Sequence, residues 1–199
     1  LWICLRISSL PLKVTNLQKG KVQNHPIEGV GRDPAVQNAG IHHRKRNREN
    51  SPMDHQEGWD SLKDILVILA HPDDPEFFLG GTIARWAKAG HRVRYTLLTK
   101  GDKGAKDDTL SADKIMSIRE QEQAQAAQSL GVLSIDYLDY EDGYLFPNLE
   151  MRKDVVRSIR QHRPHILVTC DPTNLFPSQQ YLNHPDHRYA GQVVLDALF

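Results

Sequence analysis

The segment ILVILAHPDD, residues 65–74, determines how this 199-residue chain is expected to fold. Its first six residues form an uninterrupted run of aliphatic side chains, which is typical of a strand buried on both faces of a sheet. Such a strand needs helices on both sides of the sheet, and this requirement predicts an α/β protein. The last four residues are polar or rigid and follow the strand directly, at the place where ligands bind in open α/β sheets.

Strands and helices alternate along the rest of the chain, with Gly90 and Gly131 placed as helix stops. The predicted strands are residues 65–70, 93–99, 134–140 and 165–170, and the predicted helices are residues 80–91, 111–130, 149–162 and 186–199. This alternation implies parallel pairing with right-handed crossovers. We therefore predict a Rossmann-like three-layer sandwich with a mainly parallel sheet. Because the sequence ends inside a predicted helix, we expect the C-terminal part of the domain to be missing.

The chain divides into two pieces of opposite charge. Residues 1–52 contain nine Lys or Arg against three Asp or Glu, whereas the remainder contains 16 against 22. The first piece lacks apolar periodicity, so we expect it to be a disordered or artefactual extension. A domain is predicted from Met53 to the end, residues 53–199. Its acidic balance argues against nucleic acid as a partner, since such binding relies on Lys and Arg.

The sequence also predicts where the protein works. No apolar run reaches the roughly 18 residues that a bilayer-spanning helix needs, so no transmembrane segment is predicted. Cys4 and Cys170 lie in different pieces, and we therefore expect no disulfide framework and a reducing, cytoplasmic location. A homo-oligomer is left open.

Two His-Pro-Asp segments contain the residues that can perform chemistry. Asp73 and Asp74 are adjacent carboxylates that follow His71, and carboxylates held this close repel unless a cation or a proton separates them. The second segment, NHPDHRYAG (residues 183–191), repeats the pattern and places His187 three residues after His184. Together they predict a metal site at the edge of the sheet.

These segments also fit other kinds of structure and site. Either segment alone fits a turn in which the aspartate caps the next helix. Two histidines and one carboxylate occur both in catalytic zinc sites and in non-haem iron oxygenases, so zinc and Fe²⁺ both stay open. A nucleotide-binding Rossmann module would need a glycine-rich turn after the first strand, and this chain has HPDDPE there.

The motifs together resemble a known family. AHPDD after an apolar strand, paired with HPDH more than 100 residues later, is similar to the LmbE-like or PIG-L deacetylases. REQEQAQAAQSLGV (residues 119–132) resembles that family's Arg-x-x-Glu helix, and YEDGYL (residues 140–145) resembles its Asp-Gly loop. One departure is Pro75, which intervenes before Glu76 where the family often reads His-Pro-Asp-Asp-Glu.

The resemblance implies a role for each matching residue. It makes Asp73 the general base and His184 the group that stabilises the oxyanion, and it makes Asp186 a residue that orients His184 or His187. The remaining roles are the zinc ligands His71, Asp74 and His187, and the substrate contacts Arg119 and Asp142.

The same resemblance implies the reaction. It is zinc-dependent removal of an acetyl group from an N-acetylated sugar conjugate of the N-acetylglucosamine type. The alternative is a non-catalytic metal- or sugar-binding relic of the same fold.

Beside the site, we expect Phe77, Phe78 and Trp86 to pack in the core.

Overall fold

The computed structural model describes residues 2–6, 13–16, 58–104 and 109–199. They form one six-stranded sheet in the order β2-β1-β6-β3-β4-β5. The strands are β1 (Trp2–Arg6), β2 (Lys13–Asn16), β3 (Asp64–Leu69), β4 (Arg92–Thr99), β5 (Ile135–Tyr140) and β6 (Ile166–Cys170). Strands β3 to β6 are mutually parallel, whereas β1 pairs antiparallel with both β2 and β6.

Within the described ranges, four helices cover the sheet: α1 (Asp74–Lys88), α2 (Ala112–Leu130), α3 (Leu149–His162) and α4 (Pro185–Asp196). Local signals set several of their ends. The Ser111 and Asn148 side chains accept backbone N–H groups at the starts of α2 and α3. Gly131 ends α2 in the left-handed conformation, at a φ of 79°, which glycine adopts without steric cost.

Two apolar layers lie on opposite faces of the sheet. Along β3, Ile65 and Val67 pack with residues of α1 and α2, whereas Leu66 and Ile68 pack with residues of α3 and α4. Neighbouring side chains of a strand point to opposite faces, so a strand that is apolar throughout contributes to both layers. The predicted three-layer α/β sandwich with a mainly parallel sheet is therefore confirmed.

Helix α1 begins six residues earlier than predicted. We expected a helix over residues 80–91, but it begins at Asp74, directly after the first His-Pro-Asp motif. The reason is Pro75, whose fixed φ and missing N–H suit the first turn of a helix. The early start places the Asp74 carboxylate at the N-terminus of α1, beside the end of β3.

The N-terminal segment contains strands that we did not predict. In β1, Ile3, Cys4 and Leu5 are buried, and the strand pairs with β6 over five residues. Disorder was therefore the wrong expectation for β1 and β2, which are too short to show periodicity, whereas the alternative of an artefactual extension stays untested. Residues 7–12 and 17–57 lie outside the described residues, and the domain start at residue 53 stays a prediction.

Close packing brings α4 against the end of β6. A Cβ atom at Gly191 would overlap the carbonyl oxygen of Cys170, so only glycine allows the helix to sit this near to the strand. Strand β6 neighbours β3 in the sheet. The start of α4 and the end of β3 therefore meet at the carboxyl edge of the sheet.

Candidate metal centre

The Asp74 carboxylate lies between two histidines. Asp74 Oδ1 is 3.0 Å from His187 Nε2, and Asp74 Oδ2 is 3.5 Å from His71 Nδ1. Each of these three residues offers one ligand atom, and the three atoms lie within 4.8 Å of one another. Two imidazole nitrogens and a carboxylate are a donor set of catalytic metal sites that keep open positions. The residues present therefore fit a divalent cation.

Asp186 fixes the orientation of the His71 ring. Its carboxylate is fully buried, lies 3.1 Å from His71 Nε2 and accepts the backbone N–H groups of Gly143 and Leu145. Because a carboxylate only accepts hydrogen bonds, His71 Nε2 carries a hydrogen toward Asp186, and Nδ1, which faces Asp74, is the nitrogen that would bind a cation after losing its proton. Metal-binding histidines are commonly oriented in this way.

The Asp186 carboxylate contacts His71, whereas only the Asp186 backbone reaches one of the two expected histidines. The resemblance implied that it orients His184 or His187, but its carboxylate faces the loop after β5 and the His71 ring beside it. Asp186 also contacts His184, but through its backbone: the Asp186 N–H donates to His184 Nδ1 at 3.2 Å.

The electrostatics of the cluster favour a bound cation. Burial alone would lower the pKa of His71, but hydrogen bonds to Asp142, Asp186 and Asp74 raise it to about 11. Burial opposes ionisation of Asp74, yet its two histidine partners hold the pKa of that carboxyl below its usual range. Three carboxylates around one ring therefore create a strongly negative potential, which a positive charge relieves.

Asp73 and Asp142 occupy the same edge of the sheet. Asp142 Oδ1 lies 3.1 Å from His71 Nε2, and Asp142 Oδ2 accepts the backbone N–H of Lys103. Partial burial and the negative charge of the adjacent Asp74 raise the pKa of the Asp73 carboxyl, although the positive charge of Arg119 opposes this shift. A carboxylate beside a metal-ligand set is placed to exchange protons.

Arg119 contacts Asp73. Its Nη2 donates to Asp73 Oδ2 at 3.1 Å and to the Pro72 carbonyl oxygen at 2.7 Å. Side chains at Gly101 and Gly104 would overlap the guanidinium, so these glycines make room for it. A substrate contact by Arg119, as the resemblance implied, stays a prediction beside this observed one.

His184 caps helix α4 and lies beside the ligand set. Its ring centroid is 5.2 Å from that of His71 and 5.4 Å from that of His187. Burial lowers the pKa of His184, and the nearby His71 lowers it further. Since Nδ1 accepts the Asp186 N–H, Nε2 of the neutral ring carries the hydrogen and can donate it to a bound molecule.

The cluster opens into a cleft of about 510 Å³. Its lining combines the metal-site residues with the aromatic side chains of Phe77, Phe78 and Tyr181. The expectation that both phenylalanines pack in the core is wrong, because Phe77 is 81% and Phe78 is 39% exposed. Only Trp86 of that set is buried, since the face of α1 that contains it is the one turned to the sheet.

The structure brings all eight residues named from the sequence to one edge of the sheet. His71, Asp73, Asp74, Arg119, Asp142, His184 and His187 line the cleft, and Asp186 lies beneath them. Sequence reasoning missed Gln123, which contacts Asp73. Its only signal was a position four residues after Arg119, on the same face of α2.

Comparison with known proteins identifies the family. The PIG-L model, described as GlcNAc-PI de-N-acetylase, matches residues 66–198. The chain belongs to the PIG-L (LmbE-like) family. The matched range begins in β3, includes both His-Pro-Asp segments of this PIG-L domain and ends after α4.

Relatives of this PIG-L domain are named as deacetylases of N-acetylglucosamine-type sugars. Diacetylchitobiose deacetylase of Thermococcus kodakarensis is 38% identical over 142 residues, covering 71% of this chain and 51% of the relative. The 1D-myo-inositol 2-acetamido-2-deoxy-alpha-D-glucopyranoside deacetylase of Rhodococcus erythropolis is 30% identical over 163 residues, with 69% and 53% covered. The chain thus spans about half the length of the curated relatives it matches.

A solved structure supports the same assignment. N,N'-diacetylchitobiose deacetylase from Pyrococcus horikoshii, complexed with its inhibitor MPG, is 33% identical to this PIG-L domain with a TM-score of 0.63. The match covers 73% of this chain and 52% of that one.

None of the helices in the described part of the chain combines the length and apolar character that a bilayer crossing requires.

Proposed function

We propose that this protein is a metal-dependent N-deacetylase that removes the acetyl group from an N-acetylated sugar conjugate of the N-acetylglucosamine type. The observation that carries the proposal is the set of His71, Asp74 and His187 ligand atoms within 4.8 Å of one another, in the cleft that Asp73 and His184 also line. Zinc is the proposed ion, with Fe²⁺ as the alternative, because both accept two histidines and one carboxylate.

The chemistry assigns separate work to the ion and to the side chains. A divalent cation held by the three ligands supplies Lewis acidity and lowers the pKa of water. Asp73 accepts a proton from the water that attacks the amide carbonyl carbon. His184 Nε2–H donates a hydrogen bond to the oxygen on which negative charge develops. Asp73 then returns its proton to the departing nitrogen as the C–N bond breaks, which gives acetate and a free amine.

The choice of substrate follows the relatives. Two of them are named for diacetylchitobiose and for an inositol-linked 2-acetamido sugar. Both names describe an acetamido group on a glucose ring, so we propose the same group here. Arg119 and Asp142 are proposed to contact the sugar, since both line the cleft. A cytoplasmic location is proposed because Cys4 and Cys170 are both thiols.

Amine release tests the proposal. The purified chain, supplied with Zn²⁺ or Fe²⁺, is incubated with N-acetylglucosamine, diacetylchitobiose and an inositol conjugate, and an amine-reactive fluorophore measures the product. We expect metal-dependent release from at least one sugar, and release about 10²–10⁴ times slower from the Asp73→Asn variant. Stoichiometric metal binding without release from any of them would support the alternative of a non-catalytic relic.

A further inference from the structure

Gln123 is a buried polar residue that joins α2 to the start of α1. Gln123 is only 2% exposed, whereas the other glutamines of α2 are exposed to solvent. Gln123 Oε1 accepts the backbone N–H of Asp73 at 2.7 Å. Gln123 Nε2 donates to both carboxylate oxygens of Glu76, at 3.0 and 2.9 Å.

The Glu76 carboxylate determines which way the Gln123 amide faces. An ionised carboxylate only accepts hydrogen bonds, so the NH₂ end of the amide must point at Glu76. The carbonyl end is then left for Asp73, whose backbone N–H needs an acceptor. The three groups thus form a directed chain from Glu76 through Gln123 to the backbone of Asp73.

Asp73 requires such support because its backbone is strained. Its φ is 85° and its ψ is −30°, which lies outside the left-handed helical region where aspartate is tolerated at positive φ. Such a conformation persists only where the surrounding structure holds it. Gln123 holds the N–H, while Arg119, one turn earlier on the same face of α2, holds the carboxylate and the preceding carbonyl oxygen.

We propose that Gln123, oriented by Glu76, is a positioning residue that holds Asp73 in its strained conformation and so aims the Asp73 carboxylate into the cleft. The proposal rests on the proposed function only in that Asp73 acts as the base. Gln123 does not line the metal-site cleft, and its side-chain hydrogen bonds go to Asp73 and Glu76, neither of which is a proposed metal ligand. Its loss should therefore affect the rate of the reaction and leave metal binding intact.

The first test replaces Gln123 by leucine, which has similar volume and no hydrogen-bonding groups. In Gln123→Leu we expect fast hydrogen exchange at the Asp73 amide, measured by NMR in the metal-free protein. We also expect kcat to fall roughly tenfold to 100-fold, the scale of a misplaced catalytic group, with KM and zinc stoichiometry unchanged. Gln125→Leu, an exposed position on the same helix, is the matched control and should match the wild type in every measurement.

The second test exchanges the two partners. Gln123→Glu alone places two carboxylates together and should lower kcat. In the double variant Glu76→Gln/Gln123→Glu, the new amide donates to the new carboxylate, which can again accept the Asp73 N–H. We expect the exchange to restore both amide protection and most of kcat, which a general loss of stability would not predict.

The outcomes separate this proposal from the proposed function. Unchanged Asp73 amide exchange in Gln123→Leu, or a double variant no better than Gln123→Glu, would overturn the positioning role. If the wild-type protein releases no amine from any sugar, the proposed function fails. The amide exchange of Asp73 then still decides whether Gln123 holds its backbone, because that measurement needs neither metal nor substrate.

Discussion

Asp73 and Asp74 are adjacent in the chain but have different surroundings. Asp74 begins α1, is buried, and contacts His71 and His187. The Asp73 carboxylate contacts Arg119 and lines the cleft. This difference follows from the positive φ of Asp73, which turns the chain so that the two carboxylates separate.

Substitution by asparagine should distinguish the two roles. Asp73→Asn should keep the metal and the fold but reduce kcat by about 10²–10⁴, the usual contribution of a general base. Asp74→Asn should weaken metal binding first, so excess zinc should partly restore its activity. Metal content by elemental analysis and kcat at several zinc concentrations provide the measurement.

The same measurements would also detect a reversed assignment of the two carboxylates. Metal loss from Asp73→Asn, together with retained metal and a reduced rate in Asp74→Asn, would mean that the two carboxylates have the reverse assignment. His184→Ala is the companion variant. It should retain the metal and lose turnover, because its Nδ1 contacts the Asp186 backbone and its ring is not one of the three proposed ligands.

At this scale, the sequence identified residues whose type and position are both unusual. The adjacent carboxylates beside His71 predicted a metal site because they repel one another, and the family resemblance then assigned His71, Asp74 and His187 as its ligands. Gln123 could not be named, because a glutamine in a polar helix has no such cost until the fold buries it. The contact between the Asp186 carboxylate and His71 could not be predicted either, since it depends on the loop at Gly143, whereas the expected contact with His184 is made by the Asp186 backbone.

Helices and strands could be predicted where local chemistry determines their ends. Helix α3 was predicted at its observed bounds, and α2 differs by one residue, because Asn148, Ser111 and Gly131 cap these helices through their own side chains or backbone. The start of α1 was missed because the metal-site motif itself forms the first turn. The segment that contains two of the proposed metal ligands therefore gave a weaker structural signal than an ordinary helix.

One residue, Asp64, joins the amino ends of three parallel strands through its carboxylate and its backbone N–H. Asp64, at the start of β3, accepts hydrogen bonds from Arg92 and Arg94 of β4, with Arg92 Nε at 2.7 Å. His165, just before β6, accepts the Asp64 backbone N–H through Nδ1. This contact lies at the edge of the sheet opposite the metal site.

The Asp64 contact should make stability depend on pH. The hydrogen bond from Arg92 holds the pKa of Asp64 below its usual value, although partial burial opposes the shift. The stabilisation is therefore present above the unfolded pKa, about 3.9 for aspartate, and is lost as pH falls through the lower folded value. Asp64→Asn should have a lower Tm than the wild type at pH 7, and the gap should narrow at acidic pH. A gap that stays constant with pH would contradict this origin.

For the whole molecule, strand β1 covers an edge that would otherwise be open. Strand β6 would present unpaired N–H and C=O groups along its outer side, and such edges pair readily with other chains. The sequence did not predict this cover, because its ordering depends on β6, more than 150 residues away. The alternating core, in contrast, could be predicted from the apolar strands alone.

Truncation of Leu5 tests whether β1 contributes to stability. Its side chain is 1% exposed and packs in the layer that also contains residues of α3 and α4. Leu5→Ala should lower the free energy of unfolding by about 2–5 kcal/mol, the usual cost for a buried leucine. Leu133→Ala, at a position that is 57% exposed, is the control and should have a small effect. Equal effects of both substitutions in denaturant titrations would show that β1 does not pack on the sheet in solution.

The three proposed ligands come from opposite ends of the matched domain, His71 and Asp74 from its first strand–helix unit and His187 from its last helix. An ion bound to all three would act as a reversible cross-link that closes a long loop, much as a disulfide does. At free zinc 100-fold above its Kd, the folded state should gain about 2.7 kcal/mol, and chelation should lower the Tm of the wild type but not of His187→Ala. Zinc supply would then control how long the protein stays folded as well as how fast it reacts.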